Sequence, residues 1–174
     1  MPAVVFENEF QRGRKIWRQA GRLSYVIGMP TFISHSAIET EALGETWGRA
    51  ANRGLVIALS GDLGSGKTQL VKGLACGLGI TTRVHSPTFT LVNIYTGGRL
   101  ALFHLDLYRL ETKEQIFSAG LEEYLKPDGV AVIEWAERLK DGERKREAGC
   151  GIKWVQIEIT GETERRIIYD DFGA

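Results

Sequence analysis

Eight consecutive residues, Gly61-Asp62-Leu63-Gly64-Ser65-Gly66-Lys67-Thr68, constrain this chain more than any others. They satisfy every fixed position of the phosphate-loop pattern, in which glycines let backbone N–H groups curl around a polyphosphate. The lysine ammonium reaches the β and γ phosphates, and the final hydroxyl ligates Mg²⁺. The pattern means this only between a buried strand and a helix, and both are legible. Leu55-Val56-Ile57-Ala58-Leu59 is a continuous apolar run, and residues 69–78 carry Leu70, Val71, Leu74, Ala75 and Leu78 at helical spacing. A glycine-rich turn with no ligand is the bland alternative. The expected nucleotide contacts are Asp62, Leu63, Gly64, Ser65, Gly66, Lys67, Thr68 and Gln69.

A chain of 174 residues with 43% hydrophobic and 25% charged content is sized for one globular domain with a real core. No apolar run approaches the roughly 18 residues that a spanning helix requires, so no membrane partner is expected. The 22 basic and 22 acidic residues cancel, which leaves no overall charge to hold nucleic acid. DNA is not expected as a partner, and any RNA contact has to be local or shared. Cys76 and Cys150 are far apart and His35, His85 and His104 are dispersed, so no zinc pattern forms and a reducing, cytoplasmic setting is expected.

Two domains of order are expected: residues 1–30 as an N-terminal extension with little fixed structure, and 31–174 as the folded unit. The extension mixes Arg12, Arg14, Lys15, Arg18 and Arg22 with acids and lacks the apolar core of a secretory signal. Thr31-Phe32-Ile33 then reads as a strand, and Ser36-Ala37-Ile38-Glu39 has capping-box spacing at the head of an amphipathic helix reaching about Asn52. Gly79 is placed to end the helix that follows the loop. Residues 90–95 and 99–107 flank Gly97-Gly98 as a hairpin, and 153–160 and 165–169 flank Gly161-Glu162 as a second. Residues 112–125 read as one or two short helices turning Phe117, Leu121, Tyr124 and Leu125 inward. Residues 137–151, with Arg138, Lys140, Arg144, Lys145 and Arg146, read as a surface loop that could also reach phosphate. The fold class is α/β, a single-domain phosphate-loop NTPase fold with a central mixed sheet, antiparallel hairpins and flanking helices.

Two strands end in carboxylates. The first hairpin closes in His104-Leu105-Asp106-Leu107-Tyr108-Arg109, and the buried run Val130-Ala131-Val132-Ile133 closes in Glu134-Trp135. Phosphate-loop enzymes hold Mg²⁺ between the loop hydroxyl and an acid at a neighbouring strand end, and they place the attacking water with a further polar group. Thr68, Asp106 and Glu134 are the metal candidates, and Lys67, Glu134 and Asp106 the catalytic ones. Ser86-Pro87-Thr88-Phe89 is either a turn in which Pro87 keeps Ser86 extended or a switch whose hydroxyls sense the γ phosphate. Guanine readers use Asn or Thr, then Lys, any residue and Asp. Thr112-Lys113-Glu114-Gln115 lacks the aspartate, so ATP is the expected nucleotide.

Together the phosphate loop, Ser86-Pro87-Thr88-Phe89, His104-Leu105-Asp106-Leu107-Tyr108-Arg109 and Ile133-Glu134-Trp135 resemble the bacterial TsaE (YjeE) family in order and spacing, from about Thr31 onward. The resemblance implies an ATPase subunit of the machinery that makes threonylcarbamoyladenosine in tRNA, with TsaD and TsaB homologues as partners and tRNA met through their complex. It also implies ATP and Mg²⁺ at a site formed by Thr68, Asp106 and Glu134, with Trp135 beside it. Residues 1–28 are extra to the family. Two other classes stay open: a small-molecule kinase, and a nucleotide-dependent assembly factor that does not hydrolyse.

Overall fold

The computed structural model describes residues 29–139 and 152–170 in full, and within the first 28 residues the backbone of three strands. The chain divides into two units, Met1–Pro30 and Thr31–Ala174. The first contains β1 (Glu9–Gln11), β2 (Arg14–Gln19) and β3 (Arg22–Tyr25), an antiparallel meander in the order β1-β2-β3.

The second unit begins with β4 (Thr31–Ser34) and α1 (Ala37–Ala50). Ser36 caps α1 by accepting from Glu39 N at 3.2 Å, while the Glu39 carboxylate accepts from His35 N at 2.8 Å, one residue before the Ser36 N–H that a full capping box would use. Next come β5 (Leu55–Ser60) and α2 (Lys67–Gly77), then β6 (Val92–Tyr95), β7 (Leu102–Asp106) and α3 (Lys113–Ser118). A short 3-10 turn over Leu121–Leu125 leads to β8 (Val130–Glu134) and a second one, Ala136–Leu139. The unit closes with β9 (Ile152–Ile159) and β10 (Arg165–Tyr169).

Seven strands make one mixed sheet in the order β4-β10-β9-β5-β8-β7-β6. The central block β9, β5, β8 and β7 is parallel, while β6 and β10 run antiparallel to their neighbours and β4 antiparallel to β10. Both glycine-marked hairpins form. Because β5, β7 and β8 share one direction, their carboxyl ends lie on one edge of the sheet, where ligands of open α/β sheets bind.

Strand alternation decides what each face carries. Ile57, Leu59, Val130 and Val132 join the core under α1 and α2, whereas Val56, Ala58, Ala131 and Ile133 join the opposite core with Ile116 and Leu121. By the same parity Glu134, His104 and Asp106 sit on the α2 side. The helices α1 and α2 touch backbone to backbone through Gly44 and Gly48 on one and Gly73 and Gly77 on the other. A Cβ on Gly73 would stand 1.9 Å from the Glu41 carbonyl oxygen. Small residues spaced by four let two helices approach this closely.

One inward assignment is corrected. Phe117 is exposed and Ile116 is buried in its place, while Leu121 is buried and Tyr124 and Leu125 pack against the same core. Thr112 starts the helix with a full capping box and Gly120, at φ 69°, stops it after six residues. The break resets the helical phase, so Phe117 does not share a face with the residues beyond it. Of the basic run 138–146, Arg138 donates to Leu110 O at 3.0 Å; Lys140, Arg144, Lys145, Arg146 and also Cys150 lie outside the described residues.

Candidate functional site

The phosphate loop leaves β5 at Gly61, whose φ of 144° and 2.3 Å approach (from a notional Cβ) to the Ile157 carbonyl oxygen exclude a side chain. It enters α2 through Gly66, a left-handed N-cap at φ 104°. No side chain caps this helix and its first turn holds no acid. The first N–H groups of α2 are therefore unclaimed by side chains, and their positive end favours an anion. Asp62, Leu63 and Gly64 are exposed at the loop tip, with Leu63 at 78%. Ser65 Oγ is buried without a hydrogen-bond partner among the described residues, and Gln69 is turned toward α1, where its amide donates to Glu41.

Lys67 lies folded back into its own loop. Its Nζ donates to Gly61 O at 2.7 Å and to Asp62 O at 3.0 Å, and it stands 3.9 Å from the centroid of the Trp135 ring. Burial lowers its pKa from the ordinary 10.5, opposed by the charges of Glu134, Glu137, Asp106 and Asp62. The neutral loop carbonyls and the aromatic face hold the ammonium where a phosphate could replace them.

The carboxylates arrive from β8, next to β5, and from β7, on the far side of β8. In the parallel register Leu59 is opposite Glu134, and Glu134 is opposite Asp106. Thr68 Oγ1 donates to Glu134 Oε1 at 2.9 Å, so the loop hydroxyl and the β8 acid meet directly. Asp106 is held otherwise: Ser86 Oγ and Thr88 Oγ1 donate to its Oδ2 at 3.0 and 2.6 Å, and Tyr108 N donates to its Oδ1 at 2.8 Å. Both carboxylates are nearly inaccessible, Glu134 at 3% and Asp106 at 2%. The switch candidate is thus tied to a strand-end acid by its hydroxyls, while Pro87 O accepts from Thr90 N and Leu91 N and leaves Phe89 82% exposed. The Arg109 guanidinium covers the Phe89 ring at 4.7 Å.

Trp135 adopts a φ of 59°, unusual for a residue with a side chain and costing on the order of 1–2 kcal/mol. The turn swings its ring over Lys67 and against the Tyr108 ring at 5.0 Å, and Leu107 N donates to Glu134 O at 3.1 Å. The chain reverses just after its acid, which keeps an aromatic wall beside the lysine.

Two residues not singled out in the sequence belong to this site. His104, fully buried, places Nε2 2.8 Å from Glu134 Oε1, the same oxygen that accepts from Thr68. Its Nδ1 has no partner among the described residues. An ionised carboxylate only accepts, so with Glu134 ionised it is Nε2 that donates in this contact. The period-two alternation that puts Asp106 on the α2 face also puts His104 there. Arg165 donates to the loop carbonyls of Gly64 and Ser65 from the far end of the chain. Nothing local to Arg165 signals this, because Arg166 beside it is an equally basic strand residue.

Thr68, Glu134 and Asp106 offer a hydroxyl and two carboxylates, the hard oxygen donors that suit Mg²⁺. Glu134 Oε1 serves Thr68 and His104, which leaves Oε2 for a cation or a water.

A family model described as "Threonylcarbamoyl adenosine biosynthesis protein TsaE" matches residues 34–168, which span every one of these side chains. The chain is 49% identical over 107 residues to the tRNA threonylcarbamoyladenosine biosynthesis protein TsaE of Treponema pallidum, covering 62% of this chain and 78% of that one. It is 38% identical over 135 residues to the protein of the same name from Bacillus subtilis, covering 78% and 81%. Among solved structures, a crystal structure of Bacillus subtilis YdiB is similar with a TM-score of 0.66 at 33% identity, over 86% of this chain and 90% of that one.

Proposed function

The chain belongs to the TsaE family, and with that as premise we propose that it is the ATP-binding and hydrolysing subunit of tRNA threonylcarbamoyladenosine biosynthesis, a nucleotide-driven switch on a TsaB–TsaD pair in the cytoplasm. The observation that carries this is the meeting of the Thr68 hydroxyl with the Glu134 carboxylate at 2.9 Å, across the mouth of an uncapped helix.

In this reading the N–H groups at the start of α2 bind the phosphates, and Lys67 leaves the carbonyls of Gly61 and Asp62 to neutralise charge on the transferring phosphoryl group. Thr68, Glu134 and Asp106 would hold Mg²⁺, which when bound supplies positive charge to the β and γ oxygens. Glu134 holds or orients the attacking water, and His104 keeps its carboxylate from turning away. The water oxygen bonds to the γ phosphorus, the bond to the β–γ bridging oxygen breaks, and the water proton passes to phosphate or solvent. The products are ADP and phosphate. Ser86 and Thr88 donate to Asp106, so the switch candidate and one of the site's acids form a single hydrogen-bonded unit. A switch would run through this unit: a change in what Asp106 accepts would change what Ser86 and Thr88 hold and so the placing of exposed Phe89, giving ATP and ADP states different surfaces for the partners. ATP is favoured over GTP because Thr112, in the nearest guanine-reading stretch, is spent as the N-cap of α3.

Phosphate release tests the reading in the purified chain with and without TsaB and TsaD, for wild type, Lys67→Ala and Glu134→Ala. Wild type is expected to release phosphate, and each variant about 100-fold more slowly or less. Equal rates in all three proteins would remove hydrolysis from the proposal, and phosphate found on an acceptor would replace it with a kinase.

A further inference from the structure

Arg165, the first residue of β10, donates five hydrogen bonds among the described residues, all to main-chain carbonyls. Nε reaches Ser65 O at 3.1 Å and Nη2 reaches Gly64 O at 3.3 Å, both in the phosphate loop. Nη1 reaches Gly161 O, Glu162 O and Glu164 O at 3.1, 3.3 and 2.8 Å, all in the turn between β9 and β10. A planar fork with its donors in fixed directions is suited to bridging two backbone segments in this way. The next residue shows the contrast, since exposed Arg166 spends its guanidinium on the half-buried Glu158 carboxylate.

The Ser65 contact bears on ligand binding through peptide geometry, while the Gly64 carbonyl shares its plane with the Ser65 N–H, which donates to Asp62 O at 3.1 Å and closes the loop on itself. In a trans peptide the carbonyl and the N–H point in opposite directions, and no peptide among the described residues is cis. The Ser65 carbonyl shares its plane with the N–H of Gly66, the N-cap of α2. Drawing that carbonyl toward Arg165 turns the Gly66 N–H the other way, away from the guanidinium. The start of the loop also lies close to β9, where a Cβ on Gly61 would collide with the Ile157 carbonyl, so the Arg165 hydrogen bonds tie to the β9–β10 hairpin a loop that already runs along it.

We propose that Arg165 is a positioning residue for nucleotide binding, bracing the phosphate loop through the Gly64 and Ser65 carbonyls so that its amide donors are preset for a polyphosphate. Preset donors save the ordering that binding would otherwise cost. The inference rests on the loop being a nucleotide site, and its test separates the two.

ADP affinity is measured by calorimetry on the full chain, with and without Mg²⁺, for wild type, Arg165→Met, Arg165→Lys and Arg166→Met. Loosening two charge-assisted hydrogen bonds is expected to weaken ADP binding about ten-fold in Arg165→Met. Arg165→Lys should fall between that variant and wild type, because one ammonium cannot span the fork, and Arg166→Met should match wild type. In phosphate release, KM for ATP should rise by more than kcat falls. A lower melting temperature with unchanged ADP affinity in both Arg165 variants would make the residue structural only and overturn the proposal. Failure of wild type itself to bind ADP would overturn the nucleotide site and this inference with it. If Arg165→Met does not fold, Arg165→Lys against wild type decides.

Discussion

Gly73→Ala puts a methyl group into the seam between α1 and α2. Two effects of opposite sign compete there. Alanine is the better helix former, worth about 1 kcal/mol in a helix interior. Against this, the new Cβ would stand 1.9 Å from the Glu41 carbonyl oxygen, 2.7 Å from its carbon and 2.9 Å from its Cα, all backbone atoms that cannot rotate aside. To reach an ordinary carbon–oxygen contact α1 has to recede by about 1.5 Å, and a gap of even 0.5–1 Å forfeits roughly a quarter to a half of the dispersion well of every pair across the seam. Trp47, Leu70 and Leu74 lie in the core that this seam closes. Overpacking against backbone at this separation costs about 3 kcal/mol, and propensity returns about 1, for a net loss of about 2 kcal/mol. For a domain of this size that lowers the melting temperature by roughly 4–8 °C. Thermal unfolding followed by circular dichroism reads it, with Lys72→Ala, an exposed neighbour on the same helix, expected within about 0.5 kcal/mol of wild type. A Gly73→Ala protein melting at or above wild type would refute the reasoning, since propensity would then outweigh a contact that geometry forbids.

Arg99 donates to the carbonyls of Gly48, Arg49 and Ala51 at the end of α1, where the helix's own Arg49 pairs with Glu45 instead. Arg99→Met should cost about 1–2 kcal/mol, discounted for the exposure of the side chain, and a melting temperature unchanged from wild type would show that water replaces the cap. The depressed pKa of Lys67 has a pH consequence in the protein without nucleotide. The folded state binds the Lys67 proton less tightly than the unfolded state, so the penalty is present in full below the folded pKa and is relieved as pH rises from there through 10.5. Over that alkaline window the stability of wild type relative to Lys67→Met should increase with pH. Parallel melting curves for the two proteins would contradict burial as the cause of the shift.

Local features of the chain carried the phosphate loop, the strand before it and the helix after it, and they placed an acid at each of two strand ends. Both glycine-centred hairpins and the Ser36 cap were equally readable, because turns, caps and alternation are settled by neighbours a few residues away. Residues 112–125 read as one or two short helices, and the inward assignment of Phe117 fails because Gly120 makes them two, with Ile116 taking the buried position. What no window of sequence could supply was that β9 would lie next to β5 and bring Arg165 under the loop tip, or that His104 and Thr68 would share one oxygen of Glu134. Nor could it show that four glycines on two helices would let backbones touch. Each of these depends on strand order and register, which are chosen by the burial of two whole faces at once. Motifs announce which groups a chain possesses; only the packed sheet decides which of them meet.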